Sequence, residues 1–187
     1  LQTLFEPLFL DCSYAYRPKR SARIAAEKLR DELFGKYAWV VESDISGFFD
    51  NVSHDWMLKM LEKRVNDKAM IGLIQKWLRA GILQPDGAVE HPERGTPQGS
   101  IVSPILANIY LHYVLDMWFE QEVKKKAGAN ATVVRYADDF VAAFKYHKDA
   151  SNFKKILPIR MKKFNLELAE DKTRKLRFNR FRKEDSE

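Results

Sequence analysis

Two aspartates stand side by side inside the apolar run Val133-Val134-Arg135-Tyr136-Ala137-Asp138-Asp139-Phe140-Val141-Ala142-Ala143-Phe144. The valines and phenylalanines on either side favour strands and Ala-Asp-Asp does not, so the pair is expected at the tip of a hairpin between buried strands. Neighbouring carboxylates raise each other's pKa, and partial burial raises it further, unless a cation neutralises them. Oxygen donors of this kind suit Mg²⁺, which accepts one or two carboxylates and completes its shell with water and phosphate oxygens. A lone Asp-Asp turn is more often simply solvated, so a second acidic strand end is needed. Ala38-Trp39-Val40-Val41-Glu42-Ser43-Asp44-Ile45 supplies one, followed at once by the turn-forming Ser46-Gly47. If the two strands are neighbours, Asp44 and Asp138 can face each other and hold metal between them. Side chains alternate along extended backbone, so Asp138 and Asp139 are not expected to point the same way. Asp138 is then the bridging ligand with Asp44, Asp139 a secondary one, and the Ile45 carbonyl a further oxygen donor.

Positioning these groups requires a sheet with helices behind it. Ser21 can cap a helix running to Gly35, with Ala22, Ala25, Leu29 and Leu33 at helical spacing. A strand over 38–45 follows. Ser53 can cap a helix whose Leu58, Leu61 and Val65 face one way, and Asp67 another with Ile71, Ile74 and Leu78. The stretch Ile82 to His91 reads as a hairpin around Pro85-Asp86-Gly87. Ser103 is expected to cap a long helix with Pro104 at its first position, where a missing amide donor does no harm. After the acidic hairpin, a helix from about 148 to 164, bent at Pro158, packs behind it. Asn165 suits a left-handed turn at its end. Strands near 166–169 and 174–178 complete a mixed or antiparallel sheet packed on helices, an α+β fold without repeats or low-complexity tracts.

The 187 residues are 45% apolar, enough for one domain with a sizeable core. The net charge of +6 is unevenly placed: residues 145–187 carry 14 Lys or Arg against 7 Asp or Glu, while residues 1–144 carry 18 against 19. A basic end suits a phosphate backbone, although a solvated helix face has the same composition. The single cysteine, Cys12, excludes an internal disulfide framework and fits a reducing compartment. Pro104, Asn108 and His112 break the best apolar stretch, so no membrane span is expected. With no signal-like leader at Leu1, an intracellular, cytoplasmic location is expected.

Three segments in order resemble a known family, the reverse transcriptases, and within it the type encoded by bacterial group II introns. Tyr136-Ala137-Asp138-Asp139 is similar to the catalytic box of that family, and Ser43-Asp44-Ile45-Ser46-Gly47-Phe48-Phe49-Asp50-Asn51-Val52 to its first catalytic segment. The run from Arg94-Gly95-Thr96-Pro97-Gln98-Gly99-Ser100 to Asn108 resembles the segment beneath the templating base and incoming nucleotide. Asp11 to Ser21 resembles part of the fingers, and Leu166 to Thr173 the closing element of the palm.

The resemblance implies a right-hand polymerase palm with part of the fingers: residues 1–36 as partial fingers, 37–66 and 95–180 as palm, and 67–94 as their connection. It implies catalysis by Asp44, Asp138 and Asp139 with two Mg²⁺ ions, Mn²⁺ being a possible substitute. The implied substrates are a dNTP, a DNA or RNA primer and an RNA template, with intron RNA as the natural one. Phe49 stands where a bulky ring excludes a ribose 2′-hydroxyl, unless it is core like Phe48. Pro97, Gln98 and Gly99 are implied at the nucleotide, where glycine permits close backbone approach. Arg17 and Lys19 are implied at the triphosphate, and Arg20, Tyr136 and Asn108 at primer or template. Lys172 is implied at the leaving pyrophosphate, with a plain surface lysine as the alternative. A helical thumb and further N-terminal fingers are not visible, so weak primer extension by these residues alone is expected. The competing readings are an RNA-binding maturase palm and another palm polymerase, RNA-dependent or template-independent. The oligomeric state stays open.

Overall fold

The structure, a computed structural model, describes residues 1–80, 82–83, 89–90, 93–96 and 100–178. It opens with a short helix α1 (Gln2–Phe5) and a single 3₁₀ turn (Glu6–Leu8), followed by α2 (Ala22–Gly35). The Ser21 side chain accepts a hydrogen bond from the Ile24 amide and so caps α2 as the sequence predicts.

Strand β1 (Trp39–Ser43) then enters the main sheet, and β2 (Ile45–Ser46) leaves it. The sequence predicts one strand over 38–45; the structure divides it at Asp44, because β1 pairs with the acidic hairpin while β2 pairs with a different strand. A turn helix α3 (Phe48–Asn51) leads to α4 (His54–Leu61) and α5 (Lys68–Leu78). Both longer helices carry the predicted caps: Ser53 Oγ accepts from the Trp56 amide, and Asp67 Oδ1 from the amides of Ala69 and Met70. Strands β3 (Ile82–Leu83) and β4 (Val89–Glu90) form the expected antiparallel hairpin, whose tip lies outside the described residues.

Helix α6 (Ser103–Leu111) departs from expectation at its start. Val102 is the N-cap and Ser103 already helical, with Pro104 in the first turn, where it needs no amide partner. The helix continues through two π-helical stretches, His112–Asp116 and Phe119–Val123, into α7 (Lys124–Lys126). Strands β5 (Ala131–Tyr136) and β6 (Asp139–Phe144) form the acidic hairpin, α8 (His147–Lys163) carries Pro158 inside it, and β7 (Glu167–Leu168) and β8 (Arg174–Arg177) close the chain's described part.

The main sheet is antiparallel, in the order β5-β6-β1-β8, and β2 pairs with β7 beside it. One face is packed by α8 and the α6–α7 run through a ring cluster in which Phe144 and Phe153 lie 5.3 Å apart and Phe119 and Phe153 5.6 Å apart. Rings buried to this degree contribute about 1.5–3 kcal/mol each. On the opposite face, Val40 and Ala143 are buried, and Tyr14 and Ala25 bury Val134 at β5. Across the same row of that face lie Val141, Glu42 and Arg174. Glu42 and Arg174 are exposed. The sheet therefore offers an open platform next to the acidic turn.

Candidate active site

The candidate site forms where β1 ends and β6 begins. Ser43 pairs with Phe140, so the next step of the antiparallel register sets Asp44 beside Asp139 at the edge of the open platform. Glu42 shares that face because side chains two apart point the same way. Asp138 occupies the two-residue turn Ala137-Asp138 between Tyr136 and Asp139, so strand alternation does not govern its direction. A cleft of about 410 Å³ opens there, lined by Glu42, Asp44, Asp139, Val141, Lys172 and Arg174 among others.

Electrostatics ties the three aspartates together. Loss of water raises the Asp138 carboxyl above its ordinary pKa, and the charge of Asp44 raises it further. Asp139 is raised in the same order of causes, by desolvation and then by the charges of Asp44 and Asp138, with a hydrogen-bond contact to Asp44 as well. A cation offsets part of this repulsion. The Lys172 ammonium donates to Asp44 Oδ2 at 2.6 Å, and that bond holds its own proton more tightly. The loop carrying Lys172 is docked by backbone and side chain: the Ala169 amide donates to the Asp44 carbonyl at 2.9 Å, and Ser43 Oγ meets Thr173 Oγ1 at 2.9 Å. Ile45 stands 2% exposed with its side chain in the core, paired opposite Leu168.

Among the described residues, no three carboxylate, imidazole or thiolate side chains are grouped closely enough to cage a metal by themselves. A hard cation of the Mg²⁺ type does not require such a cage, since one or two carboxylates with water and substrate phosphates complete its shell. The donor set at Asp44, Asp138 and Asp139 fits that chemistry: oxygen only, with raised carboxyls and an ammonium already drawn to Asp44.

Phe49 lies in α3, partly buried, with its ring 5.3 Å from that of the buried Phe48. The loop that follows β4 is tied onto this turn. Gly95 donates to the Val52 carbonyl and Thr96 to the Phe49 carbonyl, both at 2.7 Å, while His54 Nε2 lies 2.7 Å from the Gly95 carbonyl. Gly95 is thus needed for approach to the chain's own backbone: at φ 90, a Cβ there would lie 2.9 Å from the Phe49 carbonyl oxygen. Pro97, Gln98 and Gly99 lie outside the described residues. Tyr136 is 41% exposed at the end of β5, next to the acidic turn.

The basic segment near the N-terminus is used differently from the expectation. Arg17 is 9% exposed; it pairs with Glu6 at 2.9 Å and donates to the carbonyls of Leu10 and Ser13 at 2.7 and 2.8 Å. That guanidinium is committed to the fold and is not free for a triphosphate. Asn108 is likewise corrected: at 0% exposure it donates to the Ala15 carbonyl at 2.8 Å and cannot reach primer or template. Arg20 pairs with Asp11 at 2.6 Å and stacks over Tyr14, with the Arg20 side chain 22% exposed. Lys19 is exposed at φ 60.

Sequence reasoning missed Arg135. It is 0% exposed, and its guanidinium forms a two-point pair with Asp116, Nε to Oδ1 at 2.8 Å and Nη2 to Oδ2 at 2.7 Å. Nη1 reaches Asn108 Oδ1 at 3.2 Å and the Ala137 carbonyl at 2.9 Å, and Nη2 reaches Ser13 Oγ at 2.8 Å. Asp116 closes the first π-helical stretch, a wide turn of the kind often kept for special side chains. The available signal was a charged residue inside an otherwise apolar strand, which demands a buried partner. Ala137 itself is held at φ 57, a left-handed conformation that costs a side-chain-bearing residue about 1–2 kcal/mol.

Comparison with known proteins agrees with this arrangement. A family model described as reverse transcriptase (RNA-dependent DNA polymerase) matches residues 1–183. The chain is 41% identical over 128 residues to the group II intron-encoded protein LtrA of Lactococcus lactis subsp. cremoris, a match covering 65% of this chain and 21% of that protein. It is 29% identical over 174 residues to protein YkfC of Escherichia coli K12, covering 78% of this chain and 45% of the relative. Among solved structures, telomerase from Candida albicans in complex with a fragment of telomeric RNA superposes with a TM-score of 0.70 over 91% of this chain and 32% of that one, at 15% identity. That likeness shows the fold, a right-hand polymerase palm with fingers. The chain thus spans about a fifth of the length of the lactococcal relative, 21%.

Proposed function

The chain belongs to the reverse transcriptase family, and on that footing we propose that it is the fingers and palm portion of an RNA-directed DNA polymerase of the group II intron type. Members of the family generally use divalent metal ions, and the fold implies an RNA template. The finer reading is nucleotidyl transfer from a dNTP to a primer 3′-hydroxyl on an RNA template, intron RNA being the natural one, with residues 1–36 in the fingers. The observation that carries it is the meeting of Asp44 with the Asp138-Asp139 turn across adjacent antiparallel strands, on an open platform beside Lys172 and Arg174.

Asp44, Asp138 and Asp139 would hold two Mg²⁺ ions, or Mn²⁺ in their place. Bound there, such ions lower the pKa of the primer hydroxyl and neutralise phosphate oxygens. The rest falls to this chain's own groups. With Asp44 among the residues that would hold the metal, the Lys172 ammonium now paired with it would be placed to face triphosphate oxygens and to give a proton to the leaving pyrophosphate. Phe49 borders the sugar, and Tyr136 and the basic β8 edge border the nucleic acid. An RNA-binding palm without polymerase activity would need none of the three carboxylates. The test is primer extension by the complete protein with Asp138→Asn: a loss of at least about a thousandfold is expected, and activity within tenfold of the parent would reject the assignment.

A further inference from the structure

Every N–H of the Arg135 guanidinium has a partner, and those partners come from three separate stretches of chain: Ser13, the helical run that carries Asn108 and Asp116, and the turn residue Ala137. The backbone of the same residue is pinned on both sides, its amide donating to the Cys12 carbonyl at 2.7 Å and its carbonyl accepting from the Tyr14 amide at 2.9 Å. Arg135 is therefore fixed before it touches the turn. What it touches is the carbonyl of Ala137, the residue at φ 57 immediately before Asp138. An alanine stays in that conformation only when its surroundings over-determine it. A buried ion pair is weak evidence for stability in its own right, since apolar groups of similar volume commonly serve the core as well. The pair with Asp116 is better explained by what it holds in place.

We propose that Arg135 is a positioning residue: braced by Asp116, Asn108 and Ser13, it locks the Ala137-Asp138 peptide in its left-handed turn and thereby sets the Asp138 carboxylate against Asp44. The conformational part stands on geometry alone; its consequence for metal rests on the proposed function. Lysine cannot replace it, because one ammonium cannot brace against a carboxylate and hold the carbonyl in the same fork.

The test uses the 187-residue chain. Arg135→Lys leaves Asp116 poorly paired and can unfold the domain, so the decisive variant is Arg135→Met with Asp116→Leu, which removes both charges and refills the space. Two quantities are read: the strong intraresidue amide–Hα cross-peak that a positive φ gives Ala137 in NMR spectra, and the Mn²⁺ dissociation constant. In the folded double variant the cross-peak is expected to weaken and the dissociation constant to rise about tenfold. Adding Ala137→Gly, which takes up the left-handed turn without strain, should bring Mn²⁺ binding back to within about threefold of the parent. A role confined to the core predicts no such rescue. The proposal is overturned if Ala137 keeps its cross-peak in the folded double variant, or if Mn²⁺ binding weakens and glycine fails to restore it. Should the parent bind no Mn²⁺, the metal reading fails, and the Ala137 cross-peak still decides the role of Arg135.

Discussion

Taken side chain by side chain, the site is a set of like charges kept close by groups that are not themselves charged alike. Asp138 and Asp139 both have pKa values raised above 3.8 in the folded chain, by lost water first and by neighbouring carboxylates second. The folded state thus binds these protons more tightly than the unfolded one. Their stabilising contribution is fully present below about pH 3.8, the unfolded value, and is lost as pH rises through the raised values. At neutral pH without metal the pair is destabilising. Asp138→Asn is therefore expected to raise the Tm of the metal-free chain at pH 7 by about one or two degrees, an advantage that disappears near about pH 3. Calorimetry across that range checks the sign; a lower Tm at pH 7 would mean that the carboxylate stabilises the fold. Phe49 makes a second prediction. Its half-buried ring packs edge-on against Phe48, so Phe49→Ala keeps the core ring and opens space at the proposed sugar position. Ribonucleotide incorporation by the complete protein should rise severalfold or more relative to deoxynucleotides, and unchanged discrimination in competition assays would return Phe49 to the core.

Among the strands and helices, the acidic turn is legible because local rules fix it: apolar strands on both sides, acids at the break, and Ser21, Ser53 and Asp67 in their capping places. Asn165 takes the left-handed φ of 57 that its position after α8 calls for. The split between β1 and β2 was not legible, because one apolar run carries no mark of which partner each half will take. The same holds for the Gly95 loop. Glycines on either side of Pro97 suggest approach to a ligand, whereas at Gly95 the close approach is to the Phe49 and Asp50 backbone, which lies 2.9–3.1 Å from an added Cβ. Gly95→Ala should destabilise the chain by about 2 kcal/mol or more, from the clash and the positive φ together. Denaturant unfolding measures this; a change under about 0.5 kcal/mol would show that the loop is not seated as described.

Over the molecule as a whole, charge is arranged along the sheet. The acidic turn joins β5 to β6 and meets the end of β1, while the edge strand β8 presents Arg174 to solvent on the platform face and Arg177 on the face that α8 packs. Among the described residues no helix is long and apolar enough to cross a membrane. A nucleic-acid strand crossing the platform would meet positive charge on the β8 side and the proposed metal-binding carboxylates at the centre. RNA affinity of the complete protein should therefore fall linearly with salt on logarithmic axes, with a slope of about −0.7 for each phosphate neutralised on a single strand. Replacing Arg174 by glutamine should flatten that slope by about 0.7 for each phosphate that is no longer neutralised. A slope unchanged by this substitution would place the strand elsewhere.

The identity of the acids, the hairpin that carries Asp138 and Asp139, the strand end that carries Asp44 and most helix boundaries could all be read from the order of residues, since they depend on spacing, capping and turn preference within a few positions. Which charges are used internally emerged with the packing of distant segments. Arg17 and Arg20 are neighbours in the same basic cluster, yet one is buried against carbonyls and the other stays partly exposed. Lys172 meets Asp44 across 128 residues of chain, and Arg135 meets Asp116 across 19. Such pairs are set by sheet register and by which face of a helix turns inward. Burial then makes an unpaired charge costly enough that the partner, wherever it lies in sequence, becomes part of the site.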